Sequence, residues 1–200
     1  MVRTMLFSFM SVLLSANLLS AQDTYVLDVA HSKVEFTVTH MMLSEVTGKF
    51  REFSGEIQYD EDDMSKWSVS VDIKTASIFT DNEKRDNHLR SDDFFNAEKF
   101  PLITFRSKRF EKRGDQYVAI GDLTIRDVTK QVEIPFKITG HIKDPWGNIR
   151  IGAVGSLTIN RQDYGVKWSK SMDMGGVVVS DEVKISLSVE GIKQTKTSGK

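Results

Sequence analysis

Period-two alternation of apolar and polar residues runs through most of this chain, and it is the feature that most limits the fold. Successive side chains of a strand point to opposite faces of the pleat, so strict alternation marks a strand with one face in a core and the other in water. Val34, Phe36 and Val38 alternate with Glu35, Thr37 and Thr39. Trp67, Val69, Val71 and Ile73 alternate with Ser68, Ser70, Asp72 and Lys74. The pattern returns in Val132, Ile134, Phe136 and Ile138, in Ile151 to Ile159, and in Val183, Ile185, Leu187 and Val189. With Ile103 and Phe105, Val118 and Ile120, and Leu123 and Ile125, the count is about eight strands.

Hydrophilic or Gly/Pro breaks separate these runs at Asp60 to Asp63, Arg113 to Asp115, Asp127 to Lys130 and Asp144 to Asn148. Short turns between consecutive strands predict an antiparallel meander, and closing it into a barrel removes exposed edges. Alternation alone leaves a two-sheet sandwich as the alternative. Asp81 to Arg90 reads as a short surface helix capped by Asp81, and Met41 to Glu45 as a second helical turn. The expected class is therefore all-β: an eight-stranded antiparallel barrel with one or two short helices.

Ahead of the strands, Arg3 precedes an apolar run from Met5 to Leu19 that ends in Ser20 and Ala21. This is the shape of a secretory signal, predicted to be cut near Ala21, with an uncleaved anchor as the alternative. The expected organisation is a signal over residues 1–21, one barrel domain over 22–193 and a polar tail over 194–200. Cysteine is absent, which removes disulfides, thiolate ligands and lipoprotein processing. With 27 basic and 28 acidic residues the net charge is −1, so nothing draws the chain to nucleic acid.

No reaction chemistry stands out. The four histidines, His31, His40, His88 and His141, lack the spacing of a metal pair. Neither a Gly-x-Ser-x-Gly elbow nor a dinucleotide fingerprint is present. The carboxylates sit among lysines and arginines as solvated ion pairs. No metal, no cofactor and no enzymatic activity are expected. His40 shares the parity of Phe36 and Val38 and is the best polar candidate for the interior.

Several segments together resemble the YceI-like family of lipocalin-like, polyisoprenoid-binding periplasmic proteins. They are Asp28-Val29-Ala30-His31-Ser32, Gly48-Lys49-Phe50, Arg85-Asp86-Asn87-His88-Leu89 with Asp93-Phe94-Phe95, Ile103 to Ser107, Gly121 to Ile125, Asn160 to Gly165 and Asp181 to Ile185. In order, they run from Asp28 to Ile185, within a resemblance that extends over Tyr25 to Ile192. A departure is Arg126-Asp127, where the family often carries a turn glycine.

The resemblance implies a lipocalin-like barrel with a long apolar cavity that holds a polyisoprenoid, an isoprenoid quinone or another long-chain amphiphile, as a carrier, scavenger or store in the periplasm. On that reading Phe36, Val38, Phe50, Phe105, Ile125 and Ile134 line the tunnel, Phe94 and Phe95 gate one end, and His40, Arg161 and Trp168 orient a head group. Stable membrane insertion after cleavage is not expected, and a homodimer is possible. The rivals are an enzyme acting on a lipid-like substrate and a solid-core structural or stress-response protein. Whether the interior is filled or hollow decides between them.

Overall fold

A computed structural model describes residues 22–173 and 175–195. The expected signal at 1–21, and residues 196–200 of the expected tail, lie outside the described residues. The elements are β1 (Asp23–Leu27), β2 (Lys33–His40), β3 (Ser44–Phe50), β4 (Phe53–Tyr59), β5 (Ser68–Lys74), β6 (Ile78–Phe79), α1 (Glu83–Arg90), β7 (Leu102–Arg113), β8 (Gln116–Ile125), β9 (Val128–Lys143), β10 (Ile149–Asn160) and β11 (Glu182–Lys193). All strand pairings are antiparallel.

Eight of the strands close a ring in the order β1-β4-β5-β7-β8-β9-β10-β11, with β11 returning to β1. The expected barrel is therefore the fold, and the sandwich is not. The other three strands arise because the first three strand runs are each broken once. One edge of β11 pairs with β1 through Gly191 to Lys193 and with β2 through Lys184 to Ser188. In the same way β4 pairs with β1 while β3, the preceding run, pairs with β2. Next, β5 pairs with β4 while β6 pairs with β3. The breaks let β2, β3 and β6 run past the ring as a lip.

Alternation explains which side is packed. Ile103 and Phe105 on β7, Leu123 and Ile125 on β8 and Ile134 on β9 are buried. Phe36, Phe136, Leu157, Ile159, Leu187 and Val189 also point inward but are only half-buried. An inward side chain that keeps solvent contact borders open space, so the packing is tighter along β7 and β8 and looser along β10, β11 and β2. The β9–β10 ladder runs only as far as Gly155 opposite Phe136. Beyond it, Lys130 on β9 reaches Asp163 at 3.0 Å and ties the diverging strands together.

The helix begins one residue later than expected. Asn82 accepts the amide of Arg85 at 3.0 Å and is the cap, whereas Asp81 takes a left-handed φ of 61°. Buried Asp86 accepts both the amide (2.8 Å) and the hydroxyl (2.6 Å) of Thr80, which fixes α1 against β6. The helical turn expected at Met41 to Glu45 is absent. Met41 and Met42 have φ of 50° and 59°, and β3 starts at Ser44, so the segment is a tight hairpin turn. Among the described residues no helix is long and apolar enough to cross a membrane.

Candidate functional site: an apolar cavity with a polar end

The ring encloses a cavity of about 470 Å³ whose lining is almost wholly apolar. Volumes of about 300–1,000 Å³ are typical of pockets that enclose most of a drug-sized molecule. Phe36 and Val38 of β2, Phe50 of β3, Phe105 of β7, Ile125 of β8 and Ile134 of β9 all contribute to its wall. So do His40, Phe94, Phe95, Arg161 and Trp168, so every residue anticipated from sequence lies on the cavity.

At one end aromatic rings are stacked together. Trp67 lies 5.0 Å from Tyr59, 5.6 Å from Phe110 and 5.1 Å from Tyr117. Tyr25 and His141 extend the cluster, with the Tyr25 hydroxyl 2.9 Å from His141 Nε2. Burial pushes the Tyr25 hydroxyl up to about 12, helped by Asp23. Of these rings, Tyr59, Trp67 and Phe110 line the cavity.

The other end lies under α1 and beside the lip. Phe94 is buried, with its ring 5.3 Å from Trp168 and 5.0 Å from His88. Phe95 meets Phe50 edge-on at 6.1 Å. Both are seated in packed wall. Arg126 pins this segment: it adopts φ 57° in the tight β8–β9 turn, and its guanidinium donates to the carbonyls of Phe94 (2.7 Å) and Gly165 (3.0 Å). Arginine thus takes a left-handed position that glycine would hold without strain, and its side chain gives the site a clamp.

The polar groups at this end divide by whether their hydrogen bonds are already spent. Arg161 is 5 % exposed, and its Nε donates to the Ser180 carbonyl at 2.9 Å. One terminal nitrogen serves the carbonyls of Val166 and Trp168, both at 2.8 Å, and the other serves Val179 (3.5 Å) and the Asp181 carboxylate (2.8 Å). Burial pushes its pKa down, with Asp181 opposing. With five donors engaged, Arg161 fastens the 166–181 segment over the cavity and has none left for a head group. On the reading proposed below, Arg161 therefore holds the wall and the head group falls to other residues.

His40 is half-buried on the cavity wall, and among the described residues no side-chain hydrogen bond engages its ring. Arg85 was not among the expected site residues. Its Nε donates to the Thr80 hydroxyl and one terminal nitrogen to the Thr80 carbonyl, each at 2.7 Å, while no carboxylate among the described residues pairs with it. His88, also on the wall, is held at 2.8 Å by Asp93. The polar end therefore offers His40 and Arg85 as unsaturated groups. A helix in isolation gives no sign that Arg85 turns toward a barrel, which is why its sequence position was uninformative.

A separate acidic cluster brings ligand atoms of Asp28, His31 and Glu190 within 4.8 Å of one another. It is already filled by a cation of the protein itself. The Arg150 guanidinium donates to Asp28 (2.8 Å), Glu190 (2.5 Å) and Asp144 (2.7 Å). His31, outermost in the cluster, is largely exposed and bonded to Asp28 at 2.8 Å.

A closed antiparallel barrel around an apolar cavity defines the class of lipocalin-like barrels. The YceI-like domain matches residues 25–191, and the chain belongs to the YceI-like family. A UPF0312 protein of Pseudomonas aeruginosa is 42 % identical over 164 residues, covering 82 % of this chain and 83 % of that one. The crystal structure of Burkholderia cenocepacia BcnA superposes with a TM-score of 0.73 at 25 % identity, over 82 % of this chain and 98 % of that one. A polyisoprenoid-binding domain from Saccharophagus degradans, implicated in plant cell wall breakdown, shares the fold with a TM-score of 0.65 at 15 % identity, over 85 % and 98 % of the two chains.

Proposed function

We propose that this protein binds a single long apolar amphiphile, an isoprenoid chain or a similar lipid, inside the barrel, and carries, scavenges or stores it in the periplasm without transforming it. The observation that carries this reading is the 470 Å³ apolar cavity bordered by half-buried inward side chains. A buried CH₂ is worth about 0.8 kcal/mol, so each five-carbon isoprene unit gains up to about 4 kcal/mol before chain ordering is subtracted. The polyisoprenoid-binding domain of Saccharophagus degradans has the same fold, which supports an isoprenoid as the ligand class. His40 and Arg85 are the groups available to meet the polar head.

Binding is favoured over catalysis because, among the described residues, the cavity wall brings no nucleophile together with a base, and Arg161 is consumed by backbone carbonyls. Native mass spectrometry of protein purified gently from the periplasmic fraction tests the proposal and reads oligomeric state as well. The expected species carries one co-purifying amphiphile on a chain lacking residues 1–21. Protein that emerges bare from lipid-rich extract, and stays bare when offered isoprenoids, refutes it.

A further inference from the structure

The hairpin between β2 and β3 exposes apolar side chains where water-facing turns carry polar ones. Met42 is 70 % exposed and Leu43 is 87 % exposed, with Met41 at 39 %. The turn is closed by the Leu43 amide donating to the His40 carbonyl at 3.0 Å. Its central residues, Met41 and Met42, have φ of 50° and 59°, the φ signature of a type I′ turn. That conformation favours Asn-Gly and penalises residues with a β carbon, so two methionines here are disfavoured both by backbone geometry and by hydration. Local strain combined with apolar exposure is the pattern of a functional surface.

This tip stands at the cavity. His40, the residue before the turn, is on the cavity wall, and so are Val178 and Val179 of the neighbouring segment. The Met41 amide donates to the Val178 carbonyl (2.9 Å), and the Val178 amide donates to the Lys170 carbonyl (3.0 Å). Met42 and Met172 both pack over Gly176. The apolar tip is thus continuous with a segment bearing Lys167 and Lys170, exposed cations that no acidic side chain among the described residues pairs. Nearby, Lys184 is matched by Glu45 at 3.4 Å, and Asp173 is the exposed acid on the segment.

We infer that the β2–β3 tip is a membrane-docking surface: Met41, Met42 and Leu43 enter the headgroup boundary of an anionic bilayer while Lys167 and Lys170 lie against its phosphates. Apolar side chains flanked by cations are what an anionic lipid surface selects. The location suits a barrel whose cargo is insoluble in water, since the end of the cavity marked by His40 then faces the lipid that supplies it. The cargo half of this inference rests on the cavity reading above, and the docking half does not. Trp146 and Ile142 form a second exposed apolar pair, but they lie at the opposite end, beyond the stacked rings of Tyr25, Tyr59 and Trp67.

Flotation with vesicles of phosphatidylethanolamine and phosphatidylglycerol in equal amounts tests the docking. The protein is expected to float with them, and to float poorly with phosphatidylcholine alone. Replacing Met41→Asn together with Met42→Gly installs the residues the turn prefers, so this variant is expected to melt no lower than wild type while losing about tenfold in vesicle affinity. Leu43→Ser is expected to lose affinity with an unchanged melt, and Trp146→Ser to float as wild type. Wild-type protein that ignores anionic vesicles, tip variants that float normally, or loss of flotation in Trp146→Ser each overturns the inference. A dansyl-labelled farnesol delivered from ethanol separates the two readings. Protein that takes the probe but ignores vesicles keeps the cavity reading and loses the docking; protein that floats but never takes the probe does the reverse.

Discussion

The ring of Phe36 occupies the space that a side chain at Gly48 would need. The two residues face each other across the β2–β3 ladder, and a β carbon at position 48 would sit 2.3 Å from Phe36 Cζ and 2.8 Å from Thr80 Cγ2. The absent side chain lets Phe36 lie against Phe50, 5.8 Å between ring centres, and form part of the cavity wall. Gly48→Ala is expected to destabilise the fold by about 1–3 kcal/mol, as overpacking does. Adding Phe36→Ala should restore part of that loss, because the two effects share one volume. Denaturant melts of the single and double variants measure the coupling, and strict additivity would contradict the packing described.

Arg161 and His40 border the same cavity yet should respond oppositely to mutation. A hydrogen bond to a charged group is worth about 1.5–3 kcal/mol. Arg161→Met removes five contacts at once, so a loss of at least about 3 kcal/mol is expected, with release of the 166–181 segment to proteolysis. His40→Ala should stay within about 0.5 kcal/mol of wild type, as surface changes do, and weaken only ligands with a polar head. If the His40 variant melts early and retains its ligand, the roles assigned to the two residues are reversed.

Leu157 is half-buried because it borders empty space. Leu157→Phe adds apolar volume where nothing is displaced, so the unliganded protein is expected to gain about 0.5–2 kcal/mol, the usual return on cavity filling. The same change should cut affinity for a long apolar probe at least tenfold. A protein whose interior is solid would instead lose stability by overpacking, so the sign of the melting shift reads the void directly.

Much of this fold was legible because its main determinant is local. Val34, Phe36 and Val38, or Leu187 and Val189, declare their inward face by parity, whereas Phe94, Phe95 and Trp168 lie outside the strands and came from the family resemblance. What parity cannot report is how much of the space between inward faces is filled, because buried Ile125 and half-buried Leu157, both on the cavity wall, obey the same alternation. Long-range partners are equally silent: Arg161 follows Leu157 and Ile159 in phase, but its role is set by carbonyls up to Ser180 and by Asp181. Met41 to Glu45 was misread as helical because Met, Leu and Glu are good helix formers and no glycine marked the turn.

Acid should unfold this protein through the Arg150 cluster. Burial alone would raise the Asp144 pKa, but the Arg150 guanidinium and the amides of Asn148 and Trp146 outweigh it and hold the carboxyl well below the usual range. Arg150 and His31 likewise lower Asp28. A carboxyl with a depressed folded-state pKa contributes stability that is complete above its unfolded value, near 3.9, and is lost as pH falls through the folded value. Stability is thus expected to decline below about pH 4. Arg150→Gln should lower stability at neutral pH and flatten the acid limb. Chemical denaturation between neutral pH and the acid limit distinguishes this from uniform destabilisation, which would leave the slope untouched.

Alkali should act through buried phenols. Burial, aided by Asp23, raises Tyr25 to about 12, and burial, aided by Asp163, raises Tyr164 to about 12. In the unfolded chain both ionise near 10, so above that pH the unfolded state binds fewer protons than the folded one. Their contribution is complete below about pH 10 and is lost as pH climbs through about 12. Tyr25→Phe also deletes the hydrogen bond to His141, so it should cost about 0.5–1.5 kcal/mol at neutral pH. Because Tyr164 carries a similar shift and burial also raises Tyr59, that single change should remove only part of the alkaline slope, and Tyr25→Phe with Tyr164→Phe more than either change alone. Melting curves recorded from pH 8 to 12 read the slopes, and a double variant with the wild-type slope would show that other groups govern the alkaline limb.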